Sequence, residues 1–150
     1  MGETIAVVGS RKGVEGMPYV VEQFCFDLYA TQPDSIVVSG GADGVDAAAE
    51  NTWLKMGGTV VSFRPRAMHK PGQYESWAIT QLTMGPNPSV VVLSVPTFAD
   101  ITSALMYRNM LIVDLADRIV AFHANYSPGT AHAKSYARDR GKPVYDMVRS

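Results

Sequence analysis

The chain has 150 residues, of which 47% are hydrophobic and 18% charged, and its formal net charge is -1. Its length fits one domain of the usual ~100–200 residues, large enough to bury a core without a disulfide or a structural metal. The net charge argues against a domain that grips DNA by bulk positive charge. No stretch approaches the ~18 apolar residues of a membrane span.

The cellular location is predicted by elimination. Cys25 is the one cysteine, so the chain cannot form an internal disulfide, which suits a reducing compartment. Residues 1–8 lack the basic and apolar regions of a signal peptide. The sequence therefore predicts a cytoplasmic protein with no membrane contact.

Short apolar runs alternate with helical patterns along the chain. Runs that are apolar throughout predict strands buried on both faces, as in a parallel sheet. The predicted elements, in chain order, are a strand at 4–8, a helix at 17–30, a strand at 36–38, a helix at 45–56, strands at 59–63 and 90–94, a helix at 101–115, a strand at 118–122, a helix at 128–140 and a strand at 143–147. This order predicts an α/β fold in one domain over residues 1–150: a Rossmann-like, doubly wound, mostly parallel sheet with helices on both faces.

The helix at 128–140 has the clearest ends. Ser127 is a suitable N-cap and Pro128 suits the first helical position, while Gly141 ends the helix. The segment 64–89 is irregular and contains four prolines. It is interpreted either as a lid or binding loop, or as a surface excursion with a short helix around 75–83.

Small and polar residues follow three predicted strands, at the sheet edge where open α/β folds bind ligands. They are Gly9, Ser10 and Arg11 after the first strand, Ser39, Gly40, Gly41 and Ala42 after the second, and Ser127, Gly129 and Thr130 after the strand at 118–122. Glycine lets the backbone approach a ligand closely, and the following helix offers N–H groups to a phosphate or carboxylate. The alternative is that the glycines only form tight turns between strand and helix.

Arg108 lies in the middle of an apolar helical face. The face is formed by Ile101, Ala104, Leu105, Ile112 and Leu115. A buried arginine needs an anion or carbonyl oxygens. Its partner is either an internal carboxylate, such as Asp46 or Asp100, or a ligand phosphate held in bidentate geometry. Asn109, at the edge of the same face, would reach the same pocket.

Asp43 and Asp46 stand in or near the first turn of the helix at 45–56. A carboxylate is stabilised there by the helix dipole, so capping explains either residue. Capping is the preferred interpretation for Asp43, whereas Asp46 would equally accept hydrogen bonds from ribose hydroxyls.

Several motifs are missing from the sequence. His69, His123 and His132 have no metal-ligand spacing, so no metal is predicted. The glycine loops read GSRKG and GGADG, not GxGxxG or GxxxxGK[ST], which disfavours a standard dehydrogenase or ATPase. No cofactor is predicted, and Asp46 and Arg108 are the candidates for any catalytic role.

The segments GSRKG, SGGADGVDAAAE, YRNMLIVDLADRIVAF, SPGTAHA and GKPVY occur in the order seen in the SLOG superfamily. That superfamily groups the Rossmann-like core of the DNA-processing protein A family with the Lonely Guy and "lysine decarboxylase-like" proteins. The resemblance covers most of the chain except residues 64–89. It implies a site for nucleotides, nucleotide-derived signals or single-stranded DNA, built from Ser10, Arg11, Gly40, Gly41, Asp46, Arg108, Asn109, Gly129 and Thr130.

The chain departs from these relatives in two respects. Lonely Guy enzymes hydrolyse an N-glycosidic bond and carry PGGxGTxxE, whereas the matching stretch here is SPGTAHA, which places Ala133 where the catalytic glutamate stands. A glycosidase needs a carboxylate at its reacting carbon. DNA-processing protein A has further domains that are absent here.

The sequence is therefore compatible with three functions. The first is a nucleotide-binding sensor or regulatory protein. The second is a nucleotide N-glycosidase, a phosphoribohydrolase. The third, less favoured, is a single-stranded DNA-binding module, whose basic stripe would come from Arg11, Lys12, Arg64, Arg66 and Lys70. A homodimer is compatible with the apolar helix 101–115.

Overall fold

A computed structural model describes residues 2–10, 16–42, 44–65, 80–83, 88–95, 101–123 and 127–148. For residues 64–65, 80–83, 88–95, 101, 123 and 148 it describes the backbone alone. The elements are β1 (Thr4–Gly9), α1 (Met17–Thr31), β2 (Ile36–Ser39), α2 (Val45–Lys55), β3 (Thr59–Pro65), β4 (Thr80–Thr83), β5 (Pro88–Val95), α3 (Ile101–Leu115), β6 (Arg118–His123), α4 (Pro128–Asp139) and β7 (Val144–Val148).

The described strands form one seven-stranded sheet in the order β4-β5-β3-β2-β1-β6-β7. Neighbouring strands pair in parallel except β4, which pairs antiparallel with β5 at one edge. The chain winds outward from β1 in one direction and then returns to add β6 on the other side of β1. This arrangement confirms the predicted Rossmann-like class and places a topological switch point between β1 and β6.

Consecutive strand residues supply two separate cores. On one face, Ile5 and Val7 pack with α1 and α2, and Trp53 of α2 is fully buried there. On the other face, Ala6 and Val8 pack with α3 and α4. Helices cover both faces of the sheet, so the side chains on both faces of β1 are apolar. This explains why the strands appear in the sequence as continuous apolar runs.

Two local predictions were wrong. Thr80–Thr83, part of the short helix suggested around 75–83, forms strand β4, because its backbone pairs with the edge strand β5. Leu115, the last residue of α3, is 47% exposed, so it does not belong to the buried apolar face of that helix. Residues 66–79 and 84–87 lie outside the described part of the chain, so the lid interpretation stays a prediction.

The predicted ends of α4 are confirmed to within one residue. The helix runs from Pro128 to Asp139, and the Ser127 hydroxyl accepts a hydrogen bond from the Thr130 N–H as an N-cap. Gly141 follows with φ of 72°, the left-handed conformation that commonly ends helices. None of the helices in the described ranges is long and apolar enough to cross a membrane.

Candidate ligand-binding site

A cavity of about 450 Å³ opens at the carboxyl ends of β1 and β6, at the switch point of the sheet. Its walls come from the residues after β1, the β2–α2 loop, one side of α3 and the first turn of α4. The lining residues are Val8, Gly9, Ser10, Ala42, Asp46, Thr102, Leu105, Met106, Arg108, Asn109, Ile112, Ser127, Pro128, Gly129 and Thr130. The volume is in the range of small-molecule sites, about 300–1,000 Å³.

Most of the predicted site residues meet at this cavity. Those that line it are Gly9, Ser10, Ala42, Asp46, Arg108, Asn109, Ser127, Gly129 and Thr130. Ser39, Gly40 and Gly41 do not line it. Ser39 is the buried last residue of β2, and Gly40 and Gly41 begin the β2–α2 loop. Arg11 and Asp43 lie outside the described residues. The structure thus brings three loops and α3 together, as predicted, while the binding role of the set remains a proposal.

Gly40 and Arg108 make the closest contact between the loop and α3. A Cβ on Gly40 would lie 2.7 Å from both Cζ and Nε of the Arg108 guanidinium. The guanidinium also donates to the Gly40 carbonyl at 3.4 Å and to Asn109 Oδ1 at 3.5 Å. Arg108 is buried, as the helical pattern predicted. A glycine is therefore required at residue 40 by close packing.

Asp46 organises the same loop from the other side of the sheet. It is 7% exposed, and its Oδ2 accepts hydrogen bonds from the N–H groups of Gly40 and Ala42, at 3.2 and 3.3 Å. Burial raises the pKa of this carboxyl from its ordinary 3.8 to about 6, against the lowering effect of the Arg108 charge and of those two N–H groups. Asp46 therefore fixes the conformation of the β2–α2 loop next to Arg108, and it also lines the cavity.

Arg108 acts on Asp46 electrostatically, and the hydrogen bonds of the carboxylate come from the loop backbone instead. The internal-carboxylate interpretation of Arg108 thus has support at Asp46, whereas Asp100 lies outside the described residues. The ligand interpretation has support as well, because Arg108 lines the cavity. The two interpretations do not exclude each other, since the Arg108 charge can stabilise the Asp46 carboxylate and a bound ligand in the same position of the side chain.

Glu50 is a buried acidic residue that the sequence analysis did not single out. It lies one turn after Asp46 on α2, and its Oε2 accepts hydrogen bonds from the hydroxyls of Ser39 and Ser62, the latter at 3.0 Å. The spacing of four residues between the two acids was the available signal, because it puts both on one face of the helix. Glu50 anchors β2 and β3 to α2 beneath the β2–α2 loop.

Asn109 connects α3 to the first turn of α4. Its Nδ2 donates to the Gly129 carbonyl at 3.1 Å and lies 3.4 Å from Nδ1 of His132. The Asn109 side chain is buried and also accepts from Arg108. Through these contacts the position of Arg108 is coupled to the α4 end of the cavity.

The apolar wall was not predicted as part of the site. Leu105, Met106 and Ile112 of α3 line the cavity beside Arg108. The helical pattern assigned Leu105 and Ile112 to the core, and the sequence offered no sign that the sheet edge leaves part of this face uncovered.

The ionisation of Asp46 should make folding stability depend on pH. The unfolded carboxyl ionises near pH 3.8 and the folded one near pH 6, so the folded state binds more protons between these values and its stability falls as pH rises. Relative to the Asp46→Asn variant, the wild type should lose roughly 3 kcal/mol of unfolding free energy from about pH 3 to about pH 7. Urea unfolding of both proteins across this range measures the difference. A difference that stays constant or grows with pH would contradict burial as the dominant effect on Asp46.

Substitution of Gly40 should reveal the tight contact with Arg108. We expect Gly40→Ala to lower the unfolding free energy by about 1–3 kcal/mol, because the added methyl group would displace the guanidinium. Gly129→Ala is the matched control, since a Cβ there would meet no atom within 4 Å. Equal urea midpoints for the two variants would show that the Gly40 contact is not a packing constraint.

Solved structures with this fold include proteins of different ligand classes. DNA processing protein A from Helicobacter pylori, described in a single-stranded DNA binding mode, is 18% identical, with a TM-score of 0.70, and the match covers 99% of this chain and 66% of that one. DNA processing protein A from Streptococcus pneumoniae is 21% identical, with a TM-score of 0.74, over 99% and 51% of the two chains. The molybdenum cofactor carrier protein from Chlamydomonas reinhardtii is 18% identical, with a TM-score of 0.65, over 99% and 79%.

At these identities the likeness is one of fold, and all three have the SLOG-type fold that the motifs resemble. The chain spans about two thirds of the Helicobacter protein and half of the Streptococcus protein. No protein of curated function matches the chain in sequence. The family model of DNA recombination-mediator protein A, however, matches residues 1–150, and the chain therefore belongs to that family.

Proposed function

We propose that this protein binds a nucleotide-like, phosphate-bearing small molecule in the cavity at the β1–β6 switch point and acts as a sensor or regulatory protein. The observation that carries the proposal is the cavity itself. It has the volume of a small-molecule site and combines an apolar wall with a few convergent polar groups. A cavity of this kind at a switch point is where open α/β sheets bind ligands.

The phosphate is assigned to the first turn of α4. Gly129 and Thr130 line the cavity at this turn, where the helix dipole favours an anion. Since Pro128 has no N–H and the Thr130 N–H is capped by Ser127, the donor offered to the phosphate is the Gly129 N–H, which has no acceptor within the helix. Gly129 lets the ligand approach closely, because nothing lies within 4 Å of the place where a Cβ would stand. Asn109 fixes this turn through the Gly129 carbonyl.

The base, or an equivalent flat ring, is assigned to the apolar wall. Leu105 and Met106 are half-buried and line the cavity on the α3 side, next to the buried Ile112. Apolar side chains of this kind cover a ring without hydrogen-bonding to it. The wall therefore suits a heterocycle better than a second phosphate.

A hydrolytic function is the second candidate, and Asp46 is the observation that favours it. This carboxyl lines the cavity and has a pKa raised to about 6, a value suited to proton transfer. Ala133, at the position of the Lonely Guy glutamate, is 1% exposed and lies in the core. An N-glycosidase activity would therefore depend on Asp46, with Arg108 beside the phosphate.

Single-stranded DNA is the third candidate, favoured by the family and by the name of the Helicobacter neighbour. The net charge of -1 opposes a mode that depends on many phosphate contacts. The basic stripe inferred from the sequence lies outside the described side chains. A small phosphate ligand needs only the local field at α4 and Arg108, so it fits the chain better.

We also infer a cytoplasmic location and self-association. Tyr145 and Met147, on the edge strand β7, are 50% and 37% exposed. Partly exposed apolar side chains on an edge strand are compatible with a homodimer.

Arg108→Lys should separate a ligand role from an internal one. Lysine keeps the charge but loses the bidentate fork, so the affinity for a bound nucleotide should fall by roughly tenfold or more. Line broadening of nucleoside mono-, di- and triphosphates in NMR spectra measures binding. Following the spectra over hours detects any free base and ribose phosphate.

Arg138→Lys is the control for that experiment, because the side chain of Arg138 is 58% exposed on α4. Unchanged nucleotide binding by Arg108→Lys, together with a lower unfolding free energy, would leave Arg108 with an internal role and no role in binding the ligand. Release of free base that stops in Asp46→Asn would make the protein a glycosidase.

A further inference from the structure

We propose that Oδ1 of Asp46 and the hydroxyl of Ser10 form a subsite for a vicinal pair of sugar hydroxyls, so that the cavity selects the ribo form of its ligand over the 2′-deoxy form. The inference rests on the proposed function and adds the class of sugar. It also distinguishes a free ribonucleotide-like ligand from a segment of DNA.

The two oxygens of the Asp46 carboxylate have different surroundings. Oδ2 accepts both hydrogen bonds from the β2–α2 loop, whereas Oδ1 accepts none from any residue that the structure describes. The side chain is nine-tenths buried and lines the cavity. Oδ1 therefore keeps its capacity to accept hydrogen bonds, and the cavity is the open space from which a donor can come.

Ser10 provides a second polar side chain at the cavity, which this residue also lines. Its Oγ is buried and has no hydrogen-bond partner within the described parts of the chain. The Ser10 carbonyl accepts from the N–H of Val45 at 3.2 Å, which fixes Ser10 against the first turn of α2, next to Asp46. Ser10 and Asp46 therefore lie at the same end of the cavity.

A vicinal diol satisfies both groups at once. One hydroxyl donates to the anionic Oδ1, and its neighbour exchanges a hydrogen bond with the Ser10 hydroxyl, which both donates and accepts. A phosphate at this end would be repelled by Asp46 and is better placed at α4, on the opposite side of the switch point. The sugar of a ligand whose phosphate lies at Gly129 and Thr130 would thus point toward α2.

DNA cannot use this subsite. Deoxyribose lacks the 2′-hydroxyl, and within a strand the 3′-oxygen is esterified. Binding a sugar without the diol would displace water from Asp46 Oδ1 without supplying a donor in its place, and sites built to bond a hydroxyl reject the analogue that lacks it.

The test compares the four nucleoside 5′-monophosphates with their 2′-deoxy counterparts on the full chain by calorimetric titration. For whichever base binds, the ribo form should bind roughly tenfold or more tightly, the effect of one hydrogen bond to a charged group. In Asp46→Asn, the amide oxygen can still accept from Gly40 and Ala42, while an NH₂ group replaces the acceptor that faces the cavity. This variant should therefore lose the preference for the ribo form.

Two further variants make the test specific. Asp114→Asn, an exposed carboxylate of α3 that accepts from Tyr136, is the matched control and should keep the preference. Ser10→Ala should weaken binding of the ribo form more than that of the deoxy form without lowering the unfolding free energy, because its hydroxyl bonds to no described group.

Each outcome is decisive. Equal affinity for the ribo and deoxy forms, or a preference that persists in Asp46→Asn, would overturn the diol subsite and leave the proposed nucleotide site standing. Failure of every nucleotide to bind the wild type would overturn the proposed function, and the subsite with it.

Discussion

The close approach of the Arg108 guanidinium to the backbone of Gly40 is the constraint on which the site depends. Helix α3 covers one face of the sheet and α2 the other, so only the carboxyl edge lets them interact. The guanidinium reaches that edge because residue 40 has no side chain. With Arg108 in place, the β2–α2 loop must pass over it, and Asp46 holds the loop there through two backbone N–H groups.

Fixing the loop in this way requires the Asp46 carboxylate to be buried, which is electrostatically unfavourable. The Asp46 carboxyl is buried deeply enough for desolvation to outweigh the favourable effect of Arg108, which is why its pKa is raised rather than lowered. Glu50, one turn away, adds a second buried acid whose Oε2 is bonded to hydroxyls of β2 and β3. The polar groups are thus fixed before a ligand arrives, and a ligand that donates to Asp46 would relieve part of the cost of its burial. Such preorganisation favours affinity, because little has to be ordered on binding.

The fold was largely readable from the sequence, because buried parallel strands and amphipathic helices leave distinct patterns. Thr80–Thr83 could not be predicted, since a short edge strand is defined by the backbone of β5 and not by its own residues. Arg108 was found because it interrupts an apolar helical face. Glu50 was missed because a glutamate in a helix is ordinarily solvated, and only the packing of α2 on β2 and β3 buries it. The apolar wall of Leu105 and Met106 depends on what the sheet edge leaves uncovered, which no local pattern reports.

The most direct test of a ligand site at the β1–β6 switch point is the map of backbone amide shifts in a ¹⁵N-labelled sample during titration with a nucleoside 5′-monophosphate. If the ligand binds in this cavity, the largest shifts should occur at Ser10, Ala42, Gly129 and Thr130, with β7 and the exposed face of α1 unchanged. Shifts concentrated on β7 or α1, or no shift at the cavity at saturating nucleotide, would contradict it.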